Sequence, residues 1–308
     1  MSNIIKGYIL GGIAAITYGM NPLFCLPLYS DGMSTTSVLF FRYLFAIPML
    51  ALMIKSRGRS FRLARHNLLP TLIFGVLFSL SSLTLFHSYN YMDAGIASTL
   101  LFVYPILVAL IMSVFFKERF SLLIFLCIAV AMLGISLLYK AEDGSTLSLT
   151  GTLFVVASSV SYAIYLVGIN KTRLREVSTL TITFWVIIIG LVLFSCVLLI
   201  EGSIQVPSQW WLWGNALALS LFPTAISLLC TTGAIQCIGS TPTAILGALE
   251  PLTAVFFGVT IFDEQLTPRI CLGFVLIIGS VSLVVARGNL TVKLLRLRKM
   301  FPKLRRGK

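Results

Sequence analysis

The sequence predicts an all-α integral membrane protein: ten transmembrane helices arranged as two five-helix repeats of inverted topology, with both termini cytoplasmic. Three observations predict it. The first is composition: 58% of the 308 residues are apolar and 11% are charged, against about 25% charged in an ordinary soluble domain. A soluble globule of this size cannot cover that much apolar surface, and disorder requires the opposite balance. Six Cys in 308 residues are too few for a secreted disulfide scaffold, and, without ligand spacing, they read as apolar filler. The second observation is the one-sided placement of the basic residues, and the third is a likeness between the two halves of the chain.

A helix needs ~20 apolar residues to cross a hydrocarbon core of about 30 Å. Ten runs qualify: 7–28, 34–54, 68–88, 94–116, 121–139, 151–169, 179–200, 212–235, 242–262 and 268–286. Helix 1 carries a ridge of small residues, Gly7, Gly11, Ala15 and Gly19, which lets helices approach closely in lipid. Its apolar run is too long for a signal peptide's core and precedes no small-x-small cleavage site, so it reads as a retained helix. Asn21-Pro22 interrupts it past its midpoint. The stretch Asn90-Tyr91-Met92-Asp93-Ala94-Gly95 separates helices 3 and 4. Helices 5 and 10 start at Ser121 and at Thr267-Pro268, with N-cap and first-turn signals. Glu118 and Glu264, three residues before those starts, read as structural helix-end or interfacial groups. Trp210, Trp211 and Trp213 open helix 8 as an interfacial belt.

Short loops make the positive-inside rule applicable. With the N-terminus inside, the inner face collects Lys6, the Lys55–Arg65 group, Lys117, Arg119, Lys171, Arg173, Arg175 and the nine basic residues from Arg287 onward, twenty of 23. The outer face receives Lys140 and Arg269, and Arg42 lies within a span. The net charge of +13 is therefore a topology signal for a multi-pass protein of the cell's inner (plasma) membrane, and nucleic-acid binding has no other support. The basic tail at 289–308 is either a solvated segment or an amphipathic helix on anionic lipid headgroups.

Residues 94–139 laid on 240–285 match Pro105 with Pro251 inside a span and Glu118 with Glu264 after it. An offset of 144 pairs Gly7 with Gly151, Tyr18 with Tyr162 and Phe40 with Phe184. The units are thus 1–143 and 144–288, five spans each. Five is odd, so the second copy enters the membrane from the opposite side, as in secondary transporters whose substrate site lies near the midplane between repeats.

Several short motifs keep order and spacing across both halves: Phe41-Arg42-Tyr43 in helix 2, Ala94-Gly95-Ile96-Ala97-Ser98 opening helix 4, Tyr104-Pro105 followed by Lys117-Glu118-Arg119, and Glu250-Pro251 followed by Asp263-Glu264. In these residues the chain resembles the EamA-type ten-helix branch of the drug/metabolite transporter superfamily, over about residues 5–287. The resemblance implies an integral membrane carrier and, from the habits of that family, export of amino acids or other small metabolites.

Depth along the spans singles out the candidate substrate site. Tyr18, Tyr104, Tyr162 and Glu250 each lie roughly 12–17 Å into a span and form two repeat-related pairs, Tyr18/Tyr162 and Tyr104/Glu250. A mid-membrane carboxylate must face a polar cavity or a partner, or stay protonated. Glu250 is therefore read as the group that holds a substrate ammonium or exchanges a proton, with a buried structural carboxyl as the alternative. Asn21 offers an amide to substrate or only marks the kink. Arg42, ~9 Å inside the outer end of helix 2, either meets a substrate carboxylate, gates the outer mouth or snorkels outward. Its direct pairing with Glu250 is not expected, since the two lean in opposite directions. His87 is either an interfacial residue or a proton relay; Tyr165 and Asn170 carry weaker forms of the same argument.

No cofactor, metal cluster, phosphate-binding glycine loop or nucleophile–base pair is found, so neither an enzyme nor an ATP-driven pump is expected. Expected partners are the lipid bilayer, a small-molecule substrate and protons. The expected function is secondary-active export of small amine-bearing amphipathic solutes by alternating access. The rival readings are a nucleoside or nucleotide-sugar carrier, disfavoured by the single Arg and absent Lys within the spans, and a passive channel or non-transporting scaffold.

Overall fold

The structure, a computed structural model, describes residues 3–92, 94–117, 122–138, 148–261, 268–269, 271–273, 275–280 and 283. Among these residues all regular structure is helical. The helices are α1 (Asn3–Gly19), α2 (Asn21–Ser30), α3 (Thr35–Ser56), α4 (Arg65–Ser88), α5 (Ala94–Leu101), α6 (Tyr104–Phe116) and α7 (Leu122–Leu138) in the first half. The second half has α8 (Leu149–Lys171), α9 (Thr179–Glu201), α10 (Trp210–Ser220), α11 (Ser227–Ile238), α12 (Ser240–Leu246) and α13 (Leu249–Ile261), followed by an apolar segment over Cys271–Ser280. Among the described residues six helical stretches are long and apolar enough to cross a membrane: Asn3–Ser30, Thr35–Ser56, Arg65–Ser88, Leu149–Lys171, Thr179–Glu201 and Trp210–Ile238.

Two expected spans are not continuous. The run 94–116 divides into α5 and α6, and the run 242–262 into α12 and α13. Proline is the cause. Its ring clashes with the carbonyl four residues earlier and it donates no hydrogen bond. For Pro105 that carbonyl belongs to Leu101, the last residue of α5; for Pro251 it belongs to Gly247, the residue after α12. The Leu101 carbonyl is satisfied instead by the Ser159 hydroxyl of α8 at 3.2 Å. Pro22 marks the break between α1 and α2, and Pro223 lies in a π turn, Leu221–Ile226, between α10 and α11.

The helices pair with approximate two-fold symmetry. Helix α1 packs on α11 as α8 packs on α4, α13 meets α1 as α6 meets α8, and α3 crosses α9 between them. Equivalent pairs of positions are hydrogen-bonded in both halves, with donor and acceptor reversed. The Ser227 hydroxyl donates to the Ala14 carbonyl (2.9 Å), and the Ser158 hydroxyl to the Ser81 carbonyl (2.8 Å). Adding 144 to Ala14 gives Ser158, and adding 146 to Ser81 gives Ser227.

Small residues make these approaches possible. A Cβ at Gly7 would meet Ile238 at 2.6 Å, one at Gly11 would strike Leu246, and one at Gly19 would strike the Glu250 backbone carbonyl. The ridge on α1 is thus the surface that seats α11, α12 and the start of α13. Gly190 of α9 leaves room for the Tyr43 ring and, at 2.5 Å from a would-be Cβ, the Ser79 hydroxyl.

Connections are tied at both ends of α3. At its start, the Ser208 amide donates to Asp31 at 2.8 Å and the Ser208 hydroxyl to the same carboxylate, while the Thr36 hydroxyl donates to Glu201 at 2.8 Å. Beyond its far end, the Thr181 hydroxyl and the Trp185 indole N–H donate to the carbonyls of Ser60 (3.0 Å) and Phe61 (2.9 Å). Trp210 is exposed, as an interfacial residue would be, whereas Trp213 turns inward onto Phe41 with ring centroids 5.4 Å apart.

Two outcomes test this packing. Gly190→Leu drives a branched side chain into Tyr43 and should destabilise the protein by about 1–3 kcal/mol, read as a lower Tm in detergent. The Ser208 hydrogen bonds hold the Asp31 carboxyl below the ordinary carboxylate range, so Asp31 stabilises the fold above about pH 5 and loses that contribution as pH falls through its lowered value. The Tm difference between the parent protein and Asp31→Asn should be present at pH 7 and shrink on strong acidification.

Candidate functional site

Where the two broken helices cross, the Tyr104 hydroxyl donates to Glu250 Oε1 at 3.3 Å. Each residue lies at the start of the helix that follows its break, α6 and α13. The two positions are equivalent under the repeat, so the contact joins corresponding points of the two halves. Tyr104 reaches Glu250 because Gly247 has no side chain: a Cβ there would coincide with the Tyr104 hydroxyl. The proline that breaks the helix and the glycine beside the break together make the space for this pair.

The other repeat-related pair lies against it. Tyr18 and Tyr162 stack with centroids 6.2 Å apart and planes 8° from parallel. The Tyr104 ring stands edge-on to Tyr162 at 4.9 Å, and Tyr165 continues the stack at 6.2 Å. The four residues predicted at mid-membrane depth are therefore assembled in one place, three tyrosines beside the Glu250 carboxyl group.

Glu250 is partly buried and borders a small cleft together with Tyr18, Asn21, Tyr89, Ser98 and Leu101. Among the described residues, Tyr104 is the only hydrogen-bond donor to its carboxyl group. One neutral hydroxyl does not compensate an ionised carboxylate away from water. The site therefore favours a proton or an organic cation at Glu250, and the tyrosine faces add a cation–π contribution for an amine seated on them. The Tyr18 hydroxyl is within electrostatic reach of both Glu250 and Arg42.

Arg42 does not snorkel. It is 0% exposed, donates from Nε to Thr224 Oγ1 at 2.5 Å and from Nη2 to the Pro223 carbonyl at 3.2 Å, and lies over the Phe86 ring at 5.0 Å. The π turn supplies both acceptors: Pro223 has no N–H to donate back to the Leu219 carbonyl, which the Thr224 hydroxyl takes at 2.8 Å, and Thr224 Oγ1 and the Pro223 carbonyl then accept from Arg42. Arg42 Nη1 has no hydrogen-bond partner among the described residues. Asn21 is 2% exposed, and neither its amide nitrogen nor its amide oxygen has a partner among the described residues.

His87 does not border the cleft; it packs edge-on to Phe154 at 5.0 Å and against Tyr91 at 5.9 Å. Asn170 is engaged elsewhere, donating to Ser240 at 3.1 Å. Glu118, Glu264 and the basic tail lie outside the described residues. Tyr89 and Ser98 border the cleft without having been singled out as site residues from the sequence. Their signal was present: Tyr89 adjoins the break before helix 4, and Ser98 closes the small-residue motif that opens it. Among the described residues no group of three or more His, Cys, Asp or Glu side chains could hold a metal ion.

Comparison with known proteins agrees with this architecture. An uncharacterized transporter of Synechocystis is 28% identical over 250 residues, 71% of this chain and 73% of that protein. The threonine/homoserine exporter RhtA of Escherichia coli is 26% identical over 211 residues, 67% of this chain and 68% of RhtA. A solved crystal structure shares the fold with a TM-score of 0.77 at 16% identity, covering 90% of this chain and 97% of the other. The sequence profile of the EamA-like transporter family matches twice, at residues 5–140 and 149–286. With one copy of the family's domain in each half, the chain belongs to the EamA-like transporter family.

Proposed function

We propose that this protein is a secondary-active exporter of small amine-bearing amphipathic metabolites, amino acids or their relatives, in the cell's inner (plasma) membrane. The observation that carries the reading is the Tyr104–Glu250 contact between repeat-equivalent positions, with the Tyr18–Tyr162 stack beside it. A carboxyl group walled by aromatic rings takes an ammonium group by charge and by cation–π attraction. Similarity to RhtA supports an amino acid as cargo.

The proposed chain topology has ten spans in two inverted repeats, residues 1–143 and 144–288, with both termini cytoplasmic. Inversion supplies two equivalent shapes, one open to each side, between which substrate at Glu250 is exposed alternately. Glu250 also exchanges protons during the cycle, and Arg42, through Nη1, meets the substrate carboxylate or gates the path. The basic tail at 289–308 contacts anionic lipid headgroups. The asymmetry of charge compensation favours this over a passive pore: among the described residues Arg42 is held by two acceptors, while Glu250 has one neutral donor.

Purified protein in liposomes tests the proposal with pooled labelled metabolites, with and without a pH gradient. Glu250→Gln should lower transport of amine-bearing solutes about 10- to 100-fold, the loss of one charge-assisted contact, and remove the response to the gradient. Full activity with an unchanged pH profile removes Glu250 from the mechanism, and flux that does not saturate identifies a channel. In a background without other reactive Cys, Tyr18→Cys should react with membrane-impermeant thiol reagents from either face and be protected by substrate. Inaccessibility from both faces sinks the alternating site.

A further inference from the structure

We infer that the cleft seats one ordered water, that Asn21 holds this water against Glu250, and that the bridge reverses its hydrogen bonds when Glu250 gains or loses a proton. The water site rests on the cleft itself; its part in transport rests on the proton exchange proposed above for Glu250.

The cleft bordered by Tyr18, Asn21, Tyr89, Ser98 and Glu250 has a volume of about 10 Å³, room for about one water and for nothing of amino-acid size. Asn21 is the first residue of α2, directly after the break at Met20. It is 2% exposed, and neither Nδ2 nor Oδ1 is paired with any described residue. Buried side-chain amides are nearly always hydrogen-bonded to protein or to water, and an unpaired one is costly. Glu250, on the same border, has one donor among the described residues, the Tyr104 hydroxyl at 3.3 Å, and a carboxyl group takes more than one bond. A space for a single molecule makes the groups on its border share that molecule.

The donor and acceptor inventory explains why an amide suits this place. A carboxylate only accepts, so with Glu250 ionised the water donates to it and accepts from Asn21 Nδ2. A protonated carboxyl donates, so with Glu250 neutral the water accepts from it and donates to Asn21 Oδ1. A side chain with both a donor and an acceptor anchors the bridge in both states. The other groups around Glu250 do not take up its proton. Tyr18, Tyr104 and Tyr162, from α1, α6 and α8, lie within its electrostatic reach and are phenols that stay neutral near pH 7. Helices α2 and α5 contribute Asn21 and Ser98 to the border, and α7 carries no acidic or basic residue. Arg42 of α3 acts on Tyr18 and is held by Thr224 and Pro223. Asn21 is in this account a positioning residue for the water, and through it for Glu250.

Purified full-length protein provides the test without any transport measurement. A structure that resolves ordered waters should show one within hydrogen-bond distance of both Asn21 and Glu250; a cleft without that water overturns the inference. In acid-minus-neutral infrared difference spectra, the Glu250 carboxyl band is the one that Glu250→Gln removes. Asn21→Leu should move that band to higher frequency, because the carboxyl loses one hydrogen bond. It should also abolish the water O–H band that shifts on exchange into water labelled with heavy oxygen. Asn21→Ser, which keeps a donor and an acceptor, should retain the water band. An unchanged carboxyl band in folded Asn21→Leu overturns Asn21 as the anchor. In liposomes Asn21→Leu should slow gradient-driven transport about 10-fold, the loss of one hydrogen bond to a charged group, and Asn21→Ser should recover part of the rate. Transport by the unaltered protein that ignores the gradient removes the proton exchange proposed for Glu250, and with it the bridge's part in transport, while the spectra still decide the water site.

Discussion

In a hydrocarbon core no water is available to satisfy an interrupted backbone, so every break in a spanning helix must be covered by protein. That constraint organises this fold. Breaks at Met20, between α5 and α6, in the Leu221–Ile226 turn and between α12 and α13 each follow from a proline. They are covered by neighbouring helices: Ser159 caps the Leu101 carbonyl, Arg42 takes the Pro223 carbonyl, and the backbone at Glu250 is sealed by Gly19. The prolines thus gather the irregular backbone to the crossing of the helices, where polar side chains also collect.

Within that region polar groups are satisfied unequally. Arg42, the most costly group to bury, has two hydrogen bonds and an aromatic face. Serine pairs such as Ser81 with Ser158, 3.0 Å apart, are closed between helices. Glu250 has one neutral donor and Asn21 has none among the described residues. Many groups that hold the bundle together are paired internally, while Glu250 and Asn21, which border the cleft, keep hydrogen-bonding capacity. The same asymmetry explains why a proton and an amine are the chemistries proposed for it.

Close approach is the second structural theme. Glycines at 7, 11 and 19 let α1 lie on α11, α12 and the start of α13, where Glu250 is, and Gly247 admits the Tyr104 hydroxyl. Contacts this tight leave no slack, so a rocking motion of one half on the other would have to open or slide the Tyr104–Glu250 contact and the contacts of the α1 ridge.

Composition and charge placement determined the membrane class, because apolar runs and one-sided basic residues act locally and need no knowledge of the fold. The repeat was legible because rare residues, Pro105 and Pro251, survive against an apolar background in which other matches are uninformative. Depth counting brought Tyr18, Tyr104, Tyr162 and Glu250 to one level, since helical rise is nearly constant. Rotation about each helix axis is not set by rise, and that was decided only by tertiary packing. The structure alone shows that Tyr104 bonds to Glu250, that Arg42 turns inward to the π turn, that His87 stays outside the cleft, and that Tyr89 and Ser98 border it. A proline states that a helix is disturbed; only the neighbouring helices determine whether it kinks, widens into a π turn or breaks, because they supply the partners for the groups it frees.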